Sequence, residues 1–176
     1  MTLQALIAEH GTARSLKRGE MLFRQGDASP PCCHLHRGLL KATYLSAVGK
    51  EAIKSFFLAP TLVGSLRAAF EDAPAPYSVE ALEACDLVEL PLSKLRQQAQ
   101  TDIELANDLI GLLVQLAIKK ERREHDFLML SAVENYRHLQ REIPDLLGRV
   151  TQNDIARYLG ITPVALSRIR GRLARG

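Results

Sequence analysis

The chain contains no tryptophan, and aromatic residues make up 5% of its 176 positions. A platform that stacks the bases of a single strand needs exposed rings in number, so that mode of nucleic-acid binding is set aside. Its three cysteines, Cys32, Cys33 and Cys85, form no C-x-x-C pair, and an odd count does not build a secreted disulfide framework. No apolar run approaches the ~20 residues that span a bilayer. The opening "MTLQALIAEHGTARSLKRG" has no apolar core of signal-peptide length. Paired carboxylates, nucleophile–base spacings, a P-loop and a Gly-rich dinucleotide motif are missing too. Ser78 and Ser131 stand in no motif that activates a hydroxyl. These absences predict a cytoplasmic protein with no membrane contact that is not an enzyme.

What is present describes a globular chain. Hydrophobic residues make up 47% and charged residues 24%, enough to build a core in one large domain or two small ones. The net charge of +3 is unevenly spread. From Ile155 onward the charged residues are Arg157, Arg168, Arg170, Arg172 and Arg175, with no acid among them. Excess positive charge is therefore concentrated at the C-terminus, which is where an acidic partner is expected to dock.

Local patterning divides the chain. "TLQALIAEH" reads as a short helix with Thr2 as cap and Gly11 as stop. From Ser15 to about Leu90, short runs such as "EMLFRQ", "CCHLHRG", "LLKATYL", "EAIKSFF", "YSVEALEA" and "DLVELP" are punctuated by Gly, Pro, Asp and Ser. That rhythm predicts an antiparallel sandwich or barrel, with "SAVGKE" as a hairpin tip. After Pro91 the pattern is helical. Asp102 opens a long helix in which Leu105, Leu109, Leu112 and Leu116 step by four and three, a heptad seam. Ile110, Leu113, Val114, Ala117 and Ile118 widen it, so burial on more than one side is expected. The leucine seam is expected to meet a second copy of the chain while another side covers the β unit; a monomeric core helix is the alternative. Lys119 to Asp126 reads as a solvated charge run. "SAVE" at Ser131–Glu134 has capping-box form, which puts a joint near Leu130.

The stretch "TQNDIARYLGITPVALSRIR", Thr151 to Arg170, is the most specific. Thr151 can cap a helix ending at Leu159, and Gly160 permits a left-handed turn. Thr162 caps the next helix, with Pro163 at its first position. Ile155, Ala156, Leu159, Ile161, Leu166 and Ile169 form the inward set, with small Ala156 where two steeply crossing helices approach. This is a helix-turn-helix arrangement. Outward on the second helix stand Val164, Ser167 and Arg168, candidates for base contact: Arg168 for guanine, Ser167 for a base edge, Val164 for a thymine methyl. Thr151, Gln152, Thr162, Arg170, Arg172 and Arg175 are the candidates for phosphate contact. The bland alternative is a packed helix pair that the arginines keep soluble.

This order of a β-rich unit, a long helix and a helix-turn-helix resembles the cyclic-AMP receptor protein / fumarate–nitrate regulator (Crp/Fnr) family. "LKRGEMLFRQGD", Gly38, "VGKE", "LVGSL", "YSVEA" and "LGITPVALSRIRGRL" carry the likeness, from roughly Leu16 to the end. The resemblance implies an α+β fold. Its parts are an N-terminal β-roll (a cyclic-nucleotide-binding-like jelly roll), a long dimerisation helix, and a C-terminal helix-turn-helix with a reduced or absent wing. The boundaries are 1–100 for the β-roll sensor, 101–130 for the dimerisation helix and 131–176 for the DNA-binding domain. It further implies a homodimeric regulator reading an inverted repeat, with double-stranded DNA, a second copy and RNA polymerase as partners. Ser167 and Arg168 fall where the family reads bases; at Val164 many members carry Glu.

The effector pocket implied by the resemblance comprises Gly64, Ser65, Leu66, Arg67, Ala75 and Ser78. Family members that bind cyclic nucleotides follow the Gly with Glu and place an Arg shortly after. Here Ser65 and Ala75 hold those positions, which leaves a cyclic phosphate without its charged partner and argues against cyclic AMP. An iron–sulfur sensor needs about four cysteine ligands, and three do not suffice. Cys32, His34 and His36 share one face of a strand and are weighed as a metal or haem site against an ordinary solvent-facing row; no metal is assigned. The sequence names no cofactor. The rival function is a dimeric ligand-binding or scaffold protein whose DNA reader has decayed.

Overall fold

The computed structural model describes residues 1–90 and 92–174, with residues 92–94 described by backbone alone. Helix α1 (Leu3–His10) starts where the Thr2 hydroxyl accepts from the Ala5 N–H at 3.2 Å. Eight strands follow: β1 (Thr12–Leu16), β2 (Met21–Phe23), β3 (Cys32–Arg37), β4 (Leu39–Leu45), β5 (Glu51–Leu58), β6 (Thr61–Val63), and, after the short helix α2 (Leu66–Glu71), β7 (Ser78–Ala81) and β8 (Cys85–Leu90). They make two antiparallel sheets, in the orders β1-β8-β3-β6 and β2-β7-β4-β5. Side chains alternate across each strand, so Cys33 and Leu35, Leu40 and Ala42, Val79 and Ala81 point into the space between the sheets and are buried there. Gly38 turns β3 into β4 at φ +111°, a conformation that L side chains avoid, and a Cβ there would meet the Cys85 sulfur at 2.5 Å.

Three elements differ from the sequence expectation. The β region begins at Thr12 rather than Ser15, and β6 and α2 were not anticipated. β6 is three residues long and α2 six, too short for either hydrophobic period to show.

Beyond the roll, α3 (Leu92–Ala99) leads to α4 (Ile103–Met129), whose N-terminal N–H groups at Glu104 and Leu105 donate to the Asp102 carboxylate. Leu130 ends α4. The anticipated Ser131–Glu134 capping box opens α5 (Ala132–Glu142), and a 3-10 turn (Pro144–Gly148) leads to α6 (Gln152–Leu159) and α7 (Pro163–Leu173). Among the described residues every strand lies between Thr12 and Leu90.

α4 turns its faces differently from the expected seam. Leu105 is 0% exposed and packs with Leu6 of α1 and Leu95 of α3, with Leu109 beside them. Leu112 and Leu116 are half-buried on the side facing the roll. The row that stays open is Ile103 (76% exposed), Ile110 (58%) and Val114 (51%), with Ala117 and Ile118 beyond. The cause is local: Leu6 of α1 and Leu95 of α3 take up Leu105 and Leu109, while Leu112 and Leu116 further along the row face the space between α4 and the roll.

The C-terminal helices share a hydrophobic cluster with the roll. Ile155, Ala156, Leu166 and Ile169 pack with Tyr136, Leu139 and Leu146, and also with Leu39, Ile53 and Phe56 of β4 and β5. The helix-turn-helix is thus seated directly on the outer face of one sheet.

Candidate nucleic-acid interface and sensor cleft

The helix-turn-helix is built by the caps anticipated from sequence. The Thr151 hydroxyl accepts from the Asp154 N–H at 3.1 Å and donates to the Asp154 carboxylate at 2.7 Å. Asp154 is buried, and its other oxygen receives Lys41 of β4 at 3.5 Å, tying α6 to the roll. Gly160 ends α6 in the left-handed region at φ +70°. The Thr162 hydroxyl accepts from the Ala165 N–H at 3.1 Å, and Pro163 stands at the first position of α7. Burying Leu166 and Ile169 against Ile155 and Ala156 leaves Val164 (61% exposed), Ser167 and Arg168 on one outward face.

Most of the expected phosphate-contact residues are exposed at the rim of that face. Gln152, Arg170 and Arg172 are open to solvent, and Arg170 and Arg172 also lie in the last turn of α7, where positive charge offsets the helix dipole. Thr151 and Thr162 have their hydroxyls engaged as caps, and Thr162 also lines the cleft described below. Thr151 also donates its hydroxyl to Asp154, whereas Thr162 only accepts and keeps its proton for a phosphate. Arg175 lies outside the described residues.

A cleft of about 1360 Å³ runs between β5, α4 and the helix-turn-helix. It divides the six expected effector residues. Gly64, Ser65 and Leu66 line it; Arg67, Ala75 and Ser78 do not. Ser65 is buried with its hydroxyl capping Ala68 at 3.3 Å, while Arg67 pairs with Glu71 of its own helix at 2.9 Å. Ala75 is held in backbone bonds with Gly26 and Asp27, and the Ser78 hydroxyl receives the Gln25 N–H at 2.9 Å. Tyr77 donates its hydroxyl to the Gly64 carbonyl at 2.5 Å, and its ring meets Phe23 and Tyr44, both at 5.8 Å between centroids.

Sequence reasoning missed the cations on α4. The stretch Lys119 to Asp126, expected as a solvated run, supplies Lys119, Lys120 and Arg123 to the cleft wall, while Asp126 pairs with His138 at 2.7 Å. The Arg123 guanidinium donates to the carbonyl oxygens of Tyr158 at 3.1 Å and Ile53 at 3.4 Å. Opposite it Lys54 lies over the Tyr77 ring at 4.6 Å. Burial, then the nearby charges of Lys120, Arg123 and Lys119, push the Lys54 ammonium down to about 8. The signal was available in part: Lys54 sits in a strand beside the apolar residues Ile53, Phe56 and Phe57, where a lone lysine is uncommon.

Cys32 lines the same cleft, its thiol pushed up to about 11 by burial. His34 and His36 stack edge-on with ring nitrogens 3.4 Å apart. Among the described residues no group of three or more His, Cys, Asp or Glu is placed to hold a metal ion.

The β-roll and its cleft define a class. Residues 13–102 match the cyclic nucleotide-binding domain, and the chain belongs to that family. Relatives extend the likeness across the helices. The transcriptional activator protein Anr of Pseudomonas protegens is 28% identical over 172 residues, covering 89% of this chain and 68% of the relative. The fumarate and nitrate reduction regulatory protein of Yersinia pestis is 27% identical over 173 residues, covering 92% and 68%. Two solved structures share the fold at 18% identity: the c-di-GMP-responsive global regulator CLP of Xanthomonas campestris (TM-score 0.78, covering 98% of this chain and 90% of that one) and FixK2 of Bradyrhizobium japonicum (0.77, covering 94% and 85%). Within the family the chain is a transcription regulator of the Crp/Fnr type. Among the described residues no helix is long and apolar enough to cross a membrane.

Proposed function

We propose that the chain works as a homodimeric, DNA-binding transcription regulator that reads an inverted repeat through α7 and carries a sensor not specific for cyclic AMP. One observation carries the reading: Val164, Ser167 and Arg168 form an unbroken outward face, while the helix that presents them is fixed from behind by Leu166 and Ile169. Side chains so held can meet base edges without losing further order, and the arginines around them supply the phosphate contacts. The open row on α4 supports the two-fold partner. Ile103, Ile110, Val114 and Ala117 follow steps of seven, four and three, so two copies can pack the same stripe against each other. Gly111 lies beside that stripe with open space around it, room for a second helix to approach. Contact with RNA polymerase belongs to the same reading if the regulator activates.

The sensor half rests on Ser65 and Ala75, which offer a cyclic phosphate no charge. Fluorescence anisotropy with duplex DNA at two salt concentrations, run beside sedimentation, tests the whole reading. Binding that falls steeply with salt, by a species of twice the chain mass, is the expected result. A folded monomer with no affinity for duplex contradicts it.

A further inference from the structure

We infer that the cleft between β5 and α4 binds an organic anion whose charge is held by Lys54 and Lys119 and whose apolar body lies along Leu109, Leu112 and Leu116. The lining holds seven lysine or arginine side chains against two glutamates, Glu51 and Glu124. Glu51 is already paired with Arg157. Among the described residues Lys54, Lys119 and Lys120 make no ion pair, so three unpaired cations of the cleft stand against the one remaining carboxylate, Glu124. The environment registers this: Lys119, like Lys54, is pushed below the ordinary lysine value, by burial and then by Arg123.

Between the cations the walls are apolar. Tyr44, Phe57 and Leu62 of the roll face Leu109, Leu112 and Leu116 of α4 across the cleft. A ligand suited to such walls carries a carboxylate, sulfonate or phosphate at one end and a ring or aliphatic body behind it. Its head gains charge-assisted bonds in a partly desolvated place, where they count for more than at an open surface. A cyclic nucleotide held in the usual manner of this fold would need its phosphate near Ser65, which offers one neutral hydroxyl and no positive charge. The charge lies instead on Lys54 of β5 and on Lys119, Lys120 and Arg123 of α4. This deepens the proposed sensor role by naming the chemical class it detects.

Titration of the purified full chain with 1-anilinonaphthalene-8-sulfonate, followed by fluorescence, tests the assignment without DNA, so failure of the DNA reader leaves the outcome unaffected. The neutral probe N-phenyl-1-naphthylamine serves as the uncharged comparison. Expected are saturation at one sulfonate per chain and binding weakened about tenfold by Lys54→Met and by Lys119→Met. Lys17→Met, exposed and outside the lining of the cleft, is expected to bind as the parent does. Cyclic AMP at equal concentration is expected to leave the sulfonate in place. The inference is overturned if the neutral probe binds as tightly, if both cleft variants stay folded by circular dichroism yet bind the sulfonate unchanged, if cyclic AMP displaces it, or if no saturable binding occurs.

Discussion

The guanidinium carbon of Arg123 lies 3.8 Å from the centre of the Tyr158 ring, and the same group donates to the Tyr158 and Ile53 carbonyls. One residue of α4 therefore grips α6 by its side chain and backbone while touching the strand that carries Lys54. Sensor cleft and reader meet at this point. Arg123→Gln removes the stacked cation and is expected to cost about 1–2 kcal/mol. Hydrogen exchange should rise first at α6 amides, before those of the central roll strands. Uniform exchange across both units would contradict a local clamp.

Gly160 sets the angle between α6 and α7. Its left-handed backbone disfavours any side chain, and a Cβ there would lie 3.1 Å from the Phe127 ring. Gly160→Ala is expected to destabilise by ~1 kcal/mol or more, the backbone part persisting when Phe127→Ala clears the ring. Thermal unfolding of the single and double variants separates the two contributions.

Lys54 makes stability depend on pH in a definite direction. Below about 8 both folded and unfolded chains hold its proton, and the folded state bears the full cost of burying the charge. Between about 8 and the ordinary lysine value of 10.5 the unfolded chain holds more protons, so this group adds stability as pH rises. Lys54→Met removes the cost and is expected to stabilise at pH 7 by roughly 1–2 kcal/mol, after discounting for partial exposure. Denaturant unfolding at pH 7 and pH 10 checks both sign and window; the gain from Lys54→Met should shrink at the higher pH.

The two sides of α4 should respond differently to substitution. Leu105→Ala empties a fully buried position and is expected to cost ~2–5 kcal/mol. Val114→Glu and Ile110→Glu stand on the open stripe and should leave the monomer folded while splitting the proposed dimer. Analytical ultracentrifugation distinguishes the cases. A dimer that survives both glutamates would move the interface elsewhere.

The reader was the most legible part of the sequence because its signals are local: Thr151, Gly160, Thr162 and Pro163 each fix one backbone position, and the apolar phase does the rest. The roll was legible in outline, since most of its strands alternate over four or more residues between turn formers. The sides of α4 were not. Its apolar coverage is wide enough to satisfy two opposite packings, and only the placement of Leu6 and Leu95 decides which leucines turn inward. The sensor cleft was the least legible. Its lining comes from Lys54 on one strand and Lys119 and Arg123 on a helix far along the chain, and no spacing rule connects them. Ser65 and Ala75 carry no charge, and the cations of the cleft stand on Lys54, Lys119, Lys120 and Arg123.

At the rim of the reader, Arg172→Ala is expected to weaken binding to all duplexes alike and to reduce the slope of log affinity against log salt by about 1. Anisotropy titrations over a range of salt read that slope directly. An unchanged slope would place Arg172 away from phosphate.

Selection of the purified protein and of Arg168→Ala against a random duplex pool, at two salt concentrations, tests the central claim most directly. The account predicts an inverted repeat whose half-sites are about one turn of DNA apart, ~34 Å. It also predicts that Arg168→Ala relaxes the preference at one base pair of each half-site, at a cost of ~1–3 kcal/mol. No enrichment by folded, dimeric protein, or the same enriched sequence from Arg168→Ala, would contradict a regulator that reads DNA through α7.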